Sequence, residues 1–250
     1  MNWFRRGGFF GGRADPPAKG VVIGGCARSG TTLLLSALSC HPEICAIPRE
    51  TQLLCPTAYH PRPDSRAAFE WERFELEIAR YSKSGQTYWC EKTPRNVHYF
   101  DRLVAARGES VRLIHMVRDG RDVITSSHPD QPCDYWVEPQ RWIDDVRAGL
   151  NSEQHPQVLR VGYERLVRDA TFELARICRF LELTPGRYFD RYPKGATVRS
   201  SNAWSERSRP LHTRSVGRWR DVEHRSRADD FAERPDARAL LREFCYLDAA

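Results

Sequence analysis

Residue types that bind phosphate groups lie directly after the first apolar run of the chain. The run VVIGG (21–25) is typical of a buried strand, and CARSGTT (26–32) follows it and leads into an apolar helical pattern. A glycine-containing turn between a strand and a helix directs backbone N–H groups and the positive end of the helix at an anion. Gly30 lets the backbone approach closely, and Thr31 and Thr32 add hydroxyl donors. This pattern predicts a phosphate-binding loop.

The loop differs from the form that binds magnesium–nucleoside triphosphates. Thr31 occupies the position where GxxxxGK[ST] has its lysine, and Arg28 offers a cation three residues earlier. No later apolar strand ends in the aspartate expected for magnesium. The spacing therefore favours a terminal phosphate or a phosphosulfate.

Two further strand ends carry basic side chains. Arg118 follows the strand VRLIHMV (111–117), with Ser126 eight residues on, about two turns along the predicted helix. Lys92 follows a second strand in WCEKTPRN (89–96). Open α/β sheets bind ligands at the carboxyl ends of their strands, so Arg118 and Ser126 are candidates for a second phosphate site, and the Lys92 ammonium should reach the same edge. A surface ion pair at Arg118 and a solvated Lys92 are the alternatives.

The elements that must position these residues alternate between strands and helices. Strand patterns occur at 21–25, 45–47, 87–91, 111–117 and 158–163, and helical patterns at 29–42, 65–82, 97–106, from 122, 139–150, 164–182 and 235–245. This alternation predicts an α/β fold with a P-loop-like, mostly parallel central sheet flanked by helices. The pattern breaks near 184, and an irregular C-terminal flap is expected there. We expect a flexible N-terminal arm at 1–19 and a single domain at 20–250.

Length and composition exclude several classes of protein. The chain has 250 residues, of which 40% are hydrophobic and 29% are charged, as in ordinary globular proteins. No apolar stretch of 18 residues occurs, so no membrane span is expected, and the first twenty residues lack the pattern of a signal peptide. We therefore expect a cytoplasmic protein. The eight cysteines include no CxxC pair, which indicates reduced thiols and no metal site.

The net charge of +6 favours an anionic partner. Lysine and arginine together number 39, and only Lys19, Lys83, Lys92 and Lys194 are lysines. A nucleic acid, a phosphorylated cofactor and an acidic membrane surface would each suit this charge. Composition does not choose among them.

Taken together and in this order, the motifs resemble the sulfotransferase family that uses 3′-phosphoadenosine 5′-phosphosulfate (PAPS). The matching segments are ARSGTTLLLSAL (27–38), CEKTP (90–94), MVRDGRDVITSS (116–127), YERLVRD (163–169) and SVGRWR (215–220). The first resembles the loop that holds the 5′-phosphosulfate, and the third resembles the segment that holds the 3′-phosphate. The resemblance covers about residues 20 to 247 and is greatest to the bacterial and tyrosylprotein branches.

The resemblance implies a set of cofactor contacts. The residues matching the 5′-phosphosulfate site are Arg28, Ser29, Gly30, Thr31 and Thr32, and those matching the 3′-phosphate site are Arg118 and Ser126. Tyr163 and Arg218 match further contacts to the cofactor. Ser201 or Asn202 matches a serine of the flap, because the spacing to Pro210 differs by one residue.

The resemblance also implies catalytic roles. Glu50 matches the general base of the tyrosylprotein branch, Lys92 its catalytic lysine and Arg28 its catalytic arginine. The spacing from Arg28 to Glu50 needs a one-residue insertion, so Arg49 competes with Glu50 for the base position. His98 is a second candidate base.

One position departs from the pattern for the 3′-phosphate. A basic residue expected four positions beyond Ser126 is Asp130 in this chain. That part of the site would then be weaker, or it would rely on Arg121 or on the C-terminal arginines.

We therefore expect a sulfotransferase that moves a sulfuryl group from PAPS to a hydroxyl of a small-molecule, saccharide or lipid acceptor. Adenosine 3′,5′-bisphosphate (PAP) would be the product, with no metal and no nucleic-acid partner. The short chain and the lack of an export signal favour such acceptors over tyrosines of secreted proteins. Acceptor contacts are expected in the segments 55–69, 129–138 and 195–215, which hold Tyr59, His60, Tyr135, Trp136 and Trp204.

Two other functions remain open from the sequence alone. A P-loop small-molecule kinase would share the strand–loop–helix motif but would need ATP and magnesium. A non-enzymatic module that binds anions or nucleic acid would account for the net charge of +6. The sequence does not predict the oligomeric state.

Overall fold

The structure is a computed structural model that describes residues 16–56, 68–128, 131–201 and 207–247. Its strands are β1 (Lys19–Gly25), β2 (Ile44–Ala46), β3 (Tyr88–Lys92), β4 (Val111–Val117), β5 (Ser127–His128), β6 (Gln131–Tyr135) and β7 (Val158–Gly162). Its α-helices are α1 (Thr31–Leu38), α2 (Trp71–Tyr81), α3 (Phe100–Arg107), α4 (Gly120–Ile124), α5 (Pro139–Ser152), α6 (Tyr163–Arg168), α7 (Ala170–Phe180), α8 (Val222–Glu233) and α9 (Pro235–Glu243). The alternation of strands and helices confirms the predicted α/β class.

Five parallel strands form the main sheet, in the order β2-β3-β1-β4-β7. Within it, Ile23 of β1 pairs with Lys92 of β3 on one side and with Ile114 of β4 on the other. The carboxyl ends of β1, β3 and β4 therefore lie at the same edge. Because the chain leaves β1 toward β2 on one side and returns to β4 on the other, this edge contains the topological switch point where such sheets bind ligands.

The two faces of the sheet are covered by different helices. Val21 and Ile23 of β1 pack in one apolar cluster with residues of α1, α6 and α7. Val22 points to the opposite face and packs with Phe74 of α2 and Phe100 of α3. The alternation follows from the two-residue period of a strand, and it fixes the register of β1 because a shift by one residue would exchange the two faces.

Two helices differ from the sequence prediction in extent. The predicted helix at 164–182 is two helices, because the side chain of Asp169 accepts the N–H of Phe172 and caps the start of α7. The helix expected from Asp122 is short and ends at Ile124, so Ser126 lies beyond it. The prediction of Ser126 two turns along a helix was therefore wrong.

The C-terminal region contains more helix than the sequence indicates. Irregular chain follows Leu183 as predicted, but α8 precedes the predicted α9. Its sequence VEHRSRADDFAE is polar, and Ala228 and Phe231 are its buried residues, which explains why no pattern predicted it. Phe231 packs edge-on against Trp142 of α5, with ring centroids 5.5 Å apart.

Several predicted features lie outside the described residues. They are residues 1–15 of the expected arm, Tyr59, His60, Asp130, Asn202 and Trp204. In the part of the chain that the structure describes, the cysteines with described side chains are free thiols. No helix there is long and apolar enough to cross a membrane.

Candidate functional site

The loop between β1 and α1 has a backbone conformation that depends on glycine. Gly25 and Gly30 have φ angles of +145° and +92°. A Cβ atom on Gly30 would lie 2.5 Å from Cδ2 of Tyr163, and one on Gly25 would lie 2.3 Å from the carbonyl oxygen of Met116. Both the φ angles and the available space therefore require glycine. Arg28 also adopts a left-handed conformation, with a φ of +68°.

The start of α1 presents polar groups suited to an anion. No side chain caps the helix at Gly30, and its first turn contains no acidic residue. Ser29, Thr31 and Thr32 are buried there. The Oγ atom of Ser29 has no hydrogen-bond partner among the residues that the structure describes. A buried hydroxyl beside the uncapped positive end of a helix matches the requirements of a phosphate or sulfate oxygen.

Lys92 and Glu50 meet at the sheet edge beside this loop. Lys92 is the last residue of β3, and its Nζ atom lies 2.5 Å from Oε1 of Glu50. The lysine side chain is 2% exposed and the glutamate side chain is 28% exposed. The two predicted catalytic residues therefore form an ion pair that solvent reaches from the glutamate side.

A second glutamate, Glu91, anchors the segment that carries Glu50. Glu91 is completely buried, and its carboxylate accepts hydrogen bonds from Thr51, Thr93 and Asn96. Burial raises the pKa of this carboxyl, although these hydrogen bonds act in the opposite direction. The sequence analysis missed Glu91. An acidic residue inside the apolar strand YWCEK was the available signal.

Arg118 links three parts of the site. Its Nη1 atom donates to the carbonyl oxygen of Arg28 at 2.9 Å, and its Nη2 atom donates to the carbonyl oxygen of Ser215. The guanidinium lies over the ring of Tyr163, 4.6 Å from the centroid. Nε is buried and has no hydrogen-bond partner within the described part of the chain. The arginine therefore supports the loop and retains its Nε–H group for a ligand.

Arg28 and Arg118 also interact electrostatically. Burial lowers the pKa of the Arg28 guanidinium, and the neighbouring Arg118 cation lowers this pKa further. The guanidinium nevertheless stays charged at neutral pH, because the ordinary pKa of an arginine lies far above neutrality. An anion bound beside these two cations would relieve their repulsion.

The residues expected to complete the 3′-phosphate site are engaged with the protein. The Oγ atom of Ser126 donates to the carbonyl oxygen of Asp122 at 2.6 Å. Arg121 forms two hydrogen bonds with the carboxylate of Asp119, donates to the carbonyl oxygen of Tyr246 and stacks on Trp219. Arg121 is therefore already occupied, so a weaker 3′-phosphate site and a role for the C-terminal arginines remain as alternatives.

Asp122 binds the backbone of the motif SVGRWR (215–220) and holds it next to Arg118. Its carboxylate accepts the N–H groups of Gly217 at 2.7 Å and Trp219 at 3.0 Å. Arg218 lies between them on a short 3-10 turn, is exposed, and has its Nε atom 4.0 Å from Asp221. Burial raises the pKa of Asp122. Sequence analysis missed this anchor, because a helix-start aspartate gives no signal of a partner 95 residues away.

The two residues that compete with Glu50 for the role of general base, Arg49 and His98, contact other side chains. Arg49 pairs with Glu77 of α2, with its Nη2 atom 2.9 Å from Oε2, whereas Glu50 contacts Lys92. The Nε2 atom of His98 lies 2.6 Å from Oδ1 of Asp145 in α5. The residue in contact with the lysine is thus Glu50.

Ser201 follows a segment of the chain that packs against the carboxyl end of α1. Val198, three residues earlier, is bonded to Ser36 and Ser39 at the carboxyl end of α1. That end is opposite the loop, so the role of Ser201 stays a prediction.

One group of potential metal ligands occurs among the described residues. Asp221, Glu223 and His224 lie together at the start of α8, where both carboxylates are exposed. The Nδ1 atom of His224 is 3.1 Å from the hydroxyl oxygen of Tyr135. Exposed acidic groups of this kind are common without a bound ion.

Comparison with known proteins identifies the class to which this fold and site belong. The model of the sulfotransferase family matches residues 20–75 and 64–186. The chain therefore belongs to the sulfotransferase family. This membership argues against the two other functions that the sequence left open, a small-molecule kinase and a non-enzymatic binding module.

A curated relative also supports membership of the sulfotransferase family. A curated protein of Caenorhabditis briggsae, provisionally named a protein-tyrosine sulfotransferase, is 26% identical over 185 residues. The match covers 65% of this chain and 65% of that protein, so the chain spans just under two thirds of its relative.

Two solved structures share the fold. The sulfotransferase domain of the Synechococcus PCC 7002 olefin synthase has a TM-score of 0.55 and 18% identity, and the match covers 94% of this chain and 97% of that domain. Mouse sulfotransferase SULT7A1, complexed with PAP, has a TM-score of 0.56 and 14% identity, with 92% and 90% covered. At these identities the likeness concerns the fold alone.

Proposed function

We propose that this sulfotransferase takes its sulfuryl group from PAPS and transfers it to a hydroxyl of a small-molecule, saccharide or lipid acceptor. The observation that carries the proposal is the contact of 2.5 Å between Lys92 Nζ and Glu50 Oε1. It places a cation and a candidate base together at the edge of the sheet that also holds the loop after β1. Transfer of a sulfuryl group to an alcohol needs both.

The residues around the loop fit the anionic groups of PAPS. In the proposal the 5′-phosphosulfate is held by Arg28, Ser29, Gly30, Thr31 and Thr32. The orphaned hydroxyl of Ser29 and the uncapped start of α1 support this assignment. The complex of mouse SULT7A1 with PAP, which shares the fold, supports the same donor.

The 3′-phosphate is assigned to Arg118 and Ser126, with Tyr163, Ser201 and Arg218 as further contacts to the cofactor. Arg118 has its buried Nε atom available, and Tyr163 packs directly against Gly30 of the loop. The hydroxyl of Ser126 donates to Asp122, so it must change partner to donate to a phosphate. Arg118 is therefore the principal residue of this part of the site.

The chemistry follows from the charges of three side chains. PAPS supplies an activated sulfuryl group on a phosphate leaving group. Glu50 accepts the proton of the acceptor hydroxyl while its oxygen bonds to sulfur. Lys92 and Arg28 stabilise the negative charge that grows as the bond from sulfur to the bridging oxygen breaks. Fixed cations in a site that excludes water contribute most when charge develops in the transition state.

The test is an acceptor screen of the purified chain with ³⁵S-labelled PAPS. The panel contains phenols, alcohols, sugars, lipids with free hydroxyls and a tyrosine-containing peptide, and PAP binding is measured in parallel by calorimetry. Label on a small hydroxylated compound, together with PAP binding, is the expected result. Label on the peptide alone would show that the acceptor is a protein tyrosine, as in the name of the C. briggsae relative, and would overturn the proposed acceptor class. Absence of PAP binding and of any labelled product would overturn the proposal.

A further inference from the structure

We propose that Glu91 is a positioning residue that holds Glu50 in place against Lys92 for sulfuryl transfer. This inference rests on the proposed function, because it assigns Glu91 a part in bringing the base and the cation of that reaction together. Glu91 itself acts through Thr51, the residue next to Glu50.

The contacts of Glu91 all reach the two segments that form the reactive pair. Its Oε1 atom accepts the backbone N–H and the hydroxyl of Thr51, both at 3.1 Å, and the hydroxyl of Thr93 at 2.7 Å. Its Oε2 atom accepts the side-chain amide of Asn96 at 2.5 Å. One buried carboxylate thereby joins the loop that carries Glu50 to the chain that follows Lys92.

Because Thr51 is adjacent to Glu50 in the chain, the contact of Glu91 with Thr51 restricts the position of Glu50. Glu50 precedes Thr51, and Glu91 precedes Lys92, so the contacts between Glu91 and Thr51 and between Lys92 and Glu50 are one residue apart in each segment. Successive residues of the strand β3 point to opposite faces, so Glu91 and Lys92 hold the loop from opposite sides of that strand. The loop is therefore held at two points, and only the contact with Glu50 is partly open to solvent.

A third contact fixes the other end of the anchored turn. The N–H of Gln52 donates to the hydroxyl oxygen of Thr93 at 3.3 Å, and Gln52 has a left-handed φ of +59°. Thr93 thus accepts from Gln52 while its hydroxyl donates to Glu91. A turn in this conformation persists when its surroundings hold it, and here Glu91 and Thr93 do so.

The chemistry of the anchor calls for a side chain that accepts several hydrogen bonds at once. Three residues donate to Glu91, and an ionised carboxylate has acceptor sites for all of them. Glutamine retains one acceptor oxygen for Thr51 and Thr93. Alanine retains none and leaves four buried donors without a partner, which releases the loop.

The test compares Glu91→Ala and Glu91→Gln with wild type. For Glu91→Ala we expect amide exchange at Thr51 to become at least about 10-fold faster, kcat to fall about 10- to 100-fold, and the affinity for PAP to stay within about 2-fold. For Glu91→Gln we expect most of the protection and most of kcat to remain. Glu173→Ala is the matched control, because Glu173 is equally buried but pairs with Arg176 on α7. It should lower the melting temperature and leave kcat unchanged.

A double variant separates positioning from a general loss of structure. If Glu91 acts through Glu50, then Glu91→Ala should reduce kcat by less than about 2-fold in a Glu50→Gln background. The inference would be overturned if Glu91→Ala lowered kcat as much in the Glu50→Gln background as in wild type. It would also be overturned if amide exchange at Thr51 were the same in Glu91→Ala as in wild type. Should Glu91→Ala fail to fold, Thr51→Val removes the hydroxyl that donates to Glu91 and accepts the N–H of Leu53, and it keeps the backbone contact with Glu91. It should give a smaller loss of kcat that also vanishes with Glu50→Gln. Wild-type protein that transfers no label from PAPS would instead contradict the proposed function.

Discussion

The Nζ atom of Lys92 lies 2.5 Å from Oε1 of Glu50, although the two residues are 42 positions apart in the chain. The ammonium is almost completely buried, and a buried cation requires a counter-charge. Glu50 provides this charge and keeps one side open to solvent. The contact therefore holds a charged lysine at the sheet edge, and Glu50 becomes available as a base when a different anion reaches that lysine.

Replacing Glu50 by glutamine removes the base and keeps the shape of the side chain. We expect Glu50→Gln to lower kcat about 100-fold, since a positioned general base contributes factors of this order. The affinity for PAP, measured by calorimetry, should change by less than about 2-fold. Glu70→Gln, on an exposed residue before α2, is the matched control. Loss of PAP binding in Glu50→Gln would show that Glu50 orders the loop and is not the base.

Gly30→Ala tests whether the phosphate loop needs its glycine. The substitution places a Cβ at a φ of +92° and 2.5 Å from the ring of Tyr163. We expect a loss of about 2–4 kcal/mol in the free energy of unfolding, from backbone strain together with overpacking. Chemical denaturation measures this loss. PAP binding should weaken as well, because the backbone that approaches the anion is displaced.

Gly85→Ala is the control for Gly30→Ala. Gly85 has a similar φ of +83°, but a Cβ there would meet no atom within 4 Å. Gly85→Ala should lower the free energy of unfolding by about 1–2 kcal/mol from backbone strain alone, and it should leave PAP binding unchanged. Equal losses at both positions would show that the contact with Tyr163 does not matter.

The sequence predicted the sheet well because its signals were local. The apolar runs of β1, β4 and β7 and the glycine-rich turn after β1 are each encoded within a few residues. The catalytic roles of Lys92 and Glu50 came from the resemblance to a known family, and their contact was found in the structure. The anchors Glu91 and Asp122 were missed because their partners, such as Thr51 and Gly217, are distant in the chain. No periodicity reports a contact of that kind.

Arg118→Ala separates binding of the 3′-phosphate from support of the loop. If Arg118 binds that phosphate, the affinity for PAP should fall about 10- to 100-fold, since a hydrogen bond to a charged group contributes about 1.5–3 kcal/mol. The affinity for adenosine 5′-monophosphate, which lacks the 3′-phosphate, should change much less. Arg112→Ala, on the strand β4 that precedes Arg118 and paired with Glu182, should leave both affinities unchanged. If Arg118→Ala lowered the affinities for PAP and for adenosine 5′-monophosphate equally, Arg118 would only support Arg28 and Ser215 and would not bind the 3′-phosphate.

The buried carboxyl of Glu164 should give the stability a defined dependence on pH. Its oxygens accept the N–H of Asp119 and the hydroxyl of Tyr246, and burial raises its pKa above the ordinary value of 4.5. A group whose pKa is raised by folding binds its proton more tightly in the folded state. Its contribution to stability is therefore present below pH 4.5 and is lost as the pH rises through the folded pKa.

Glu164→Gln removes this titration while retaining an acceptor for Asp119 and a donor for Tyr246. The free energy of unfolding of the variant minus that of wild type should rise as the pH increases from about 4.5 and then level off. Urea denaturation at a series of pH values measures this difference. A difference that is constant or falls over this range would contradict the assigned pKa direction.

The sulfuryl-transfer rate of Lys92→Ala tests the central claim most directly. In single-turnover reactions with ³⁵S-labelled PAPS and an acceptor from the screen, we expect transfer to fall by about 100-fold or more, with the protein still folded and PAP binding close to wild type. Lys83→Ala, on an exposed lysine, should transfer at the wild-type rate. Transfer by Lys92→Ala at a rate near that of wild type would contradict the claim that the pair of Lys92 and Glu50 is the reactive centre.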